Sequence, residues 1–370
     1  MLRPTRLLRR LDFRIMPMLM LVYLFDYSAR ANIGNAKILN ADTGDSLVQV
    51  LHITDHQFAV VLMVFVVPFV LFETPSNYLL KYFSPPRWLA FIILGWGVTD
   101  MVMAASRSYG ALLGLRILLG TFEAGPWYRL QERALRLSFI IATAPLGGAF
   151  SGSIAYGIGF VNGTRGLEAW RWLFIIEGAP SCCLAVIVYF FFPSYPERAS
   201  WLSSDDRMIA ISRMKQETSK SMESERINWD STKRALLDWR LYLHHLVFFA
   251  LSVPLASTSL FLPTIVSELG YDGQNAQLFT VPPFAIVFVA TCDIDTNAAT
   301  LAIPMNMAIG ALGQIVGFFI YKSKEAPGYP TGHFTNGALL LAGASGVGML
   351  RAIYQRRNKG SGVGQSIWHV

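Results

Sequence analysis

The sequence predicts an all-α membrane protein, a bundle of about ten transmembrane helices, and three observations carry that prediction. The first is composition: 53% of the 370 residues are hydrophobic, 15% are charged and the mean hydropathy is +0.41, whereas a soluble chain carries about 25% charge. The second is spacing. Apolar runs fall at 15–37, 57–80, 88–105, 111–128, 137–159, 172–192, 241–262, 277–291, 299–321 and 334–350, most of them near the ~20 residues a helix needs to cross the hydrocarbon. The third is charge placement. With the N-terminus inside, the cytoplasmic segments hold 23 of the 31 Lys and Arg and the outer gaps hold 5, the asymmetry expected because basic residues near span ends resist translocation.

In chain order, residues 1–14 form a basic cytoplasmic N-terminus. The first run is too long for a signal-peptide core and lacks a small-residue cleavage site, so it is read as a retained span. Six runs make an N-terminal half over 15–192. A polar cytoplasmic linker follows at 193–240 with nine basic residues. Four runs make a shorter C-terminal half over 241–350, and 351–370 is a cytoplasmic tail. The inside gap at 292–298 is anomalous, with Asp293 and Asp295 and no Lys or Arg. Asn162-Gly163-Thr164 is a glycosylation sequon in a gap assigned outside.

Several function classes are excluded. The pI of about 9.3 comes from span-flanking residues and not from one basic patch, so nucleic acid is not a partner; the lipid bilayer is. Cys182, Cys183 and Cys292 lie in or beside apolar runs and imply no disulfide framework or zinc site. No phosphate-binding loop and no His/Cys cluster is present, so the protein is read as neither an enzyme nor an ATP-driven pump. It needs no cofactor beyond an ion gradient.

Five motifs narrow the class. They are Tyr23-Leu24-Phe25-Asp26-Tyr27-Ser28-Ala29-Arg30-Ala31-Asn32-Ile33-Gly34-Asn35-Ala36-Lys37, Phe72-Glu73-Thr74-Pro75-Ser76-Asn77, the 116–125 stretch from Arg116 to Gly125, Trp170-Arg171-Trp172 leading to Glu177-Gly178, and Tyr329-Pro330-Thr331-Gly332-His333. In this order, and with a six-span half before a cytoplasmic linker, they resemble the fungal allantoate and nicotinate permease-like branch of the anion:cation symporter family, within the major facilitator superfamily. The resemblance covers about 10–290 and about 297–358. It breaks in two places. Pro126-Trp127-Tyr128-Arg129 follows Gly125 at once, as if the fourth helix were clipped, and Ala290-Thr291-Cys292-Asp293-Ile294-Asp295-Thr296-Asn297 joins an eighth-span sequence to what resembles the eleventh. Two spans are missing by this reading, and the parity of the charge pattern survives.

A charge inside a span costs roughly 2.5–3.5 kcal/mol on insertion scales, so one that persists is a functional candidate. Arg116 and Glu123 lie seven residues apart, about 10 Å along one helix face. The resemblance implies anion recognition or proton coupling for Arg116 and a protonation change at Glu123; the alternative is a pair of structural ion-pair partners for a neighbouring helix. Arg30 matches the position that meets substrate carboxylate in anion-carrying relatives, a task suited to a planar two-pronged donor. The family's preceding aspartate is Ala29 here, and Asp26, one turn before Arg30, is placed to take over its role. The alternative is an Arg30 that snorkels to the outer surface.

Glu73, Pro75 and Asn77 are read as packing and gating elements, in a helix that Pro68 and Pro75 should break. Gly120 with Ala124, and Gly148 with Gly152, form small-residue pairs that allow close helix approach. Glu177 is read as a brace for the inner loops, with a passenger role as the alternative, and His244 and His245 as interfacial. The function expected is secondary active transport, proton-coupled uptake of a small organic anion such as a carboxylate, ureide or vitamin, at the plasma membrane. The alternative is a non-transporting truncated relative.

Overall fold

The computed structural model describes residues 2–124, 134–193, 239–271, 273–292 and 313–360, with 207–208, 211–212 and 237 between them. Among these residues the chain is helical throughout, as composition and periodicity predict. The helices are α1 (Leu2–Ile38), a single turn α2 (Leu47–Val50), α3 (Asp55–Tyr82), α4 (Pro85–Met103), α5 (Tyr109–Glu123), α6 (Ala134–Gly159), α7 (Ala169–Phe191), α8 (Trp239–Glu268), α9 (Gly273–Phe279), α10 (Val281–Cys292) and α11 (Pro330–Gly360). A further helical stretch covers 313–319. The Pro126–Arg129 and Asp293–Asn297 junctions, most of the linker and the first part of the ninth run lie outside the described residues.

Helix starts follow the local chemistry. Thr54 caps α3: its hydroxyl accepts from the Gln57 N–H while the Gln57 side chain accepts from the Thr54 N–H. Ser84 precedes α4, which opens on Pro85 and Pro86, where a missing N–H removes no helical bond. Ser108 accepts from Ala111 N–H at the start of α5. At α11 the Glu325 carboxylate accepts from both the Thr331 N–H and hydroxyl, which holds its pKa below the usual carboxylate range.

The Trp-Arg-Trp motif also acquires a physical role. Arg171 pairs with Glu168 and donates through Nη1 to the Ala104 and Ser106 carbonyls at 2.5 and 2.9 Å, so the start of α7 is stapled to the end of α4. A guanidinium at the C-terminal end of α4 satisfies carbonyls that have no helical partner.

Two expectations are corrected. Pro68 and Pro75 do not break the second span: α3 runs unbroken through both, and Pro68 packs below Gly120 of α5. The eighth run is not one helix; it divides at Thr280 into α9 and α10, because Pro282 and Pro283 lack the N–H groups that a continuing helix would use. The Asn162 side chain also joins neighbouring segments: Nδ2 donates to Asp45 at 2.7 Å and Oδ1 accepts from Ala169 N–H.

Four described helices, within α3, α7, α8 and α11, are long and apolar enough to cross a membrane. At 15 residues α5 is shorter, about 22 Å. One buried apolar cluster runs from Val22 of α1 through Trp96, Trp170 and Phe174 to Phe261 and Tyr329. Bulky side chains such as Phe91, Val186, Phe190 and Leu341 point outward, as helices in lipid require. The most extensive packing joins α4 to α7, α1 to α6 and α3 to α5. The two halves meet where α1 lies against α8 and where α9 and α10 lie against α6.

Candidate substrate and proton site

α1 places Asp26 and Arg30 one turn apart, and α5 ends on Glu123 beside them. Arg30 Nη2 lies 3.3 Å from Asp26 Oδ2, and Arg30 Nε donates to Glu123 Oε2 at 2.6 Å. Asp26 and Glu123 are buried, while the Arg30 side chain keeps 26% of its surface. Phe69 and Phe65 of α3 lie against the guanidinium, with ring centroids at 4.7 and 5.4 Å, within the range of cation–π attraction. Each carboxylate leaves one oxygen, Asp26 Oδ1 and Glu123 Oε1, without a hydrogen-bond partner. Arg30 therefore does not snorkel; two carboxylates and two rings hold it in the protein interior.

Arg116 is buried two turns before Glu123 on α5, with its guanidinium 5.5 Å from the Phe65 ring. The Glu123 carboxylate bonds Arg30 of the neighbouring α1 and not Arg116. Phe65 stands between the arginines, a ring shared by both.

The packing residues lie on the helix contacts. Gly120 meets the Phe65 carbonyl where a side chain would sit; a Cβ on Gly148 would stand 2.9 Å from the Phe284 ring, and one on Gly152 2.6 Å from Thr280 Oγ1. Gly148 and Gly152 thus receive α10 and the α9–α10 turn of the other half. Glu73 is half-buried within electrostatic reach of Arg30. Pro75 is exposed, and the Asn77 side chain lies outside the described residues. His245 is buried, against the interfacial expectation.

Glu177 is not at the inner loops. It is buried near the middle of α7, facing Asn32 of α1 and Ser151 of α6, because the tight α1–α6–α7 packing turns that helix face inward.

Sequence reasoning missed Asp100 of α4, fully buried. Its signal was present, an acid within an apolar run, but the charge count followed Lys and Arg. It also missed a polar seam in which Ser151 Oγ donates to Asn32 Oδ1 at 2.9 Å and accepts from Asn35 Nδ2 at 2.8 Å, while Gln277 Nε2 of α9 donates to the Asn35 carbonyl at 3.0 Å. Tyr27 and Ser259 share a hydrogen bond of 2.8 Å between α1 and α8. Among the described residues no group of three metal-ligating side chains forms.

A helical bundle with outward apolar faces, a buried arginine–carboxylate centre and polar contacts between two halves defines a membrane transporter. The chain belongs to the Major Facilitator Superfamily, whose family model matches residues 19–356. It is 38% identical to the MFS transporter prlL of a fungal species (strain NRRL 50135), covering 94% of this chain and 86% of that protein. That alignment runs over 426 positions against a chain of 370 residues, so at least 56 positions of the relative have no counterpart here. Identity is 31% to the MFS-type transporter efuF of Hormonema carpetanum, over 91% of this chain and 69% of that one. It is 32% to a protein of Agrobacterium vitis provisionally named a tartrate transporter, over 75% and 64%. In fold the chain is similar to a bacterial homologue of the human lysosomal transporter Spinster, with TM-score 0.58, 13% identity and coverage of 90% and 79%. These relatives are transporters and not enzymes.

Proposed function

We propose that this chain is a secondary active transporter that takes up a small organic anion together with protons, of the anion:cation symporter kind and nearest in character to its allantoate and nicotinate permease-like branch. The observation that carries this reading is Arg30, partly open and held between Asp26 and Glu123. A guanidinium with two prongs binds a carboxylate well, and here protein carboxylates already occupy it. When Glu123 takes a proton its claim on Arg30 weakens, and a substrate carboxylate can replace it; when substrate leaves, the proton leaves with the restored pair. Binding of anion and proton is coupled because the substrate carboxylate and the Glu123 carboxylate compete for one guanidinium, and the proton takes Glu123 out of that competition. Arg116 supplies the second positive charge near Phe65. The relative named for tartrate, a dicarboxylate, supports the anion class. The positive-inside count favours both termini in the cytoplasm, and the family resemblance implies the plasma membrane.

The test is uptake of labelled tartrate, nicotinate and allantoate by the purified chain in proteoliposomes with an imposed proton gradient. Accumulation of one of them, lost when the gradient is collapsed, is expected. Arg116→Ala should abolish it while leaving insertion intact; unchanged uptake would remove the claim. A second reading, a non-transporting relative, is favoured by the alignment: at least 56 positions of the fungal relative are absent here, the length of two spans with their loops. Failure of all three anions to accumulate would favour it.

A further inference from the structure

Asp100 and Glu177 stand outside the Arg30 centre. Asp100 of α4 is 0% exposed and Glu177 of α7 is 4% exposed. Among the described residues neither Asp100 oxygen has a hydrogen-bond partner, and the Glu177 carboxylate has no close partner but faces the Asn32 amide and the Ser151 hydroxyl. The crossing of α4 and α7 brings them to one level. A Cβ on Gly178, next to Glu177, would stand 2.8 Å from the Gly97 carbonyl, and one on Gly97, nearly a turn before Asp100, would stand 3.0 Å from Ser181 Cβ. The backbones touch there, and the two acids lie within electrostatic reach of each other.

Two further side chains point to a ligand at this crossing. Ser181, one turn beyond Glu177, is buried with no partner for Oγ, and Asn32, facing Glu177, is buried with no partner for Nδ2. Both can donate to a carboxylate. The other groups around the pair are Arg116 and Glu123 from α5, Cys182 from α7 and Ser151 from α6. Arg116 is the cation among them, and Glu123 draws on its field too. Among the described residues of this half, Asp26, Glu123, Asp100 and Glu177 are buried with Arg116 and the partly open Arg30, while Lys37 pairs with Asp55 at 3.3 Å. Among these residues two carboxylates exceed the cations. Like charges close together in a low-dielectric interior resist ionising together.

We propose that Asp100 and Glu177 form a proton-holding carboxyl pair at the α4–α7 crossing, separate from the Arg30 centre, with one proton shared between them. The ligand is a proton, and the site gives the N-terminal half a second place to carry one. Because it lies behind Arg116, its proton screens that guanidinium from a second negative charge and leaves it available to an anion.

The experiment is infrared spectroscopy of the purified full chain in detergent at neutral pH, reading the carbonyl stretch of protonated buried carboxyl groups. The native chain should show the band, and Asp100→Asn and Glu177→Gln should each lose intensity from it. A native chain without the band, or a band of unchanged area in both variants, overturns the proposal. If neither variant folds, an Asp26→Asn/Glu123→Gln double variant decides: a surviving band supports the pair, and complete loss overturns it. The readout uses no substrate, so a failed uptake assay leaves the pair standing and a missing band leaves the transport reading standing.

Discussion

At the scale of single residues, Arg30 stands apart from the other described cations. Its fork reaches Asp26 and Glu123 at once while its plane lies on Phe69. A lysine keeps the charge and loses the fork, so Arg30→Lys leaves one buried carboxylate without a partner. Under the proposed function it should lower uptake at least about tenfold, equivalent to ~1.4 kcal/mol, at an unchanged level of protein in the membrane. The check is uptake normalised to surface-labelled protein; wild-type uptake in the variant would remove Arg30 from the substrate site. The Asp26–Arg30 pair could be read from a one-turn spacing. Glu123 could not be read as its second partner, since 93 residues separate them and only the packing of α1 beside α5 joins them.

At the scale of elements, small residues decide how closely the helices approach. Gly120 faces the Phe65 carbonyl across the α3–α5 contact, whereas Gly114 on the same helix has nothing within 4 Å of a modest side chain. Gly120→Ala should destabilise the protein by about 1–3 kcal/mol, as overpacking does, because backbone cannot move aside as a flexible side chain can. Gly114→Ala should be neutral or stabilising by up to about 1 kcal/mol through helix propensity. Thermal unfolding of the two variants in one detergent compares them directly, and equal midpoints would contradict the α3–α5 packing. The same reasoning explains why α3 survives two prolines. A span packed among neighbours keeps its helix where local propensity alone would end it, while α10 begins at a proline pair whose missing N–H groups cost nothing in a first helical turn.

At the scale of the whole molecule, transport requires the halves to part, and among the described residues polar contacts lie beside the apolar packing that joins them. Tyr27 with Ser259, Gln277 with the Asn35 carbonyl, and the Gly273 N–H with Asp42 Oδ1 at 3.3 Å join α1 and its following loop to α8 and α9. Asn35 is buried under this closure. Asn35→Cys, in a chain whose Cys182, Cys183 and Cys292 are replaced by serine, should react slowly with a polar thiol reagent at rest. It should react faster when a proton gradient and a transported anion are supplied. A rate that never changes would mean that α1 stays closed on α9, which no alternating-access transporter allows.

The sequence by itself determined the fold class, the membrane setting and the charged residues worth following, because each depends on period, composition or the cost of a charge in lipid, all of which are local. It also marked the glycines that lie at helix crossings. The tertiary structure alone decided which charges meet. Glu123 belongs to Arg30 and not to Arg116, Glu177 belongs to the interior and not to the loops, and Asp100 joins it there. These assignments depend on how helices far apart in the chain are rotated about their axes, and a rotation of half a turn would exchange every partner without altering any local pattern.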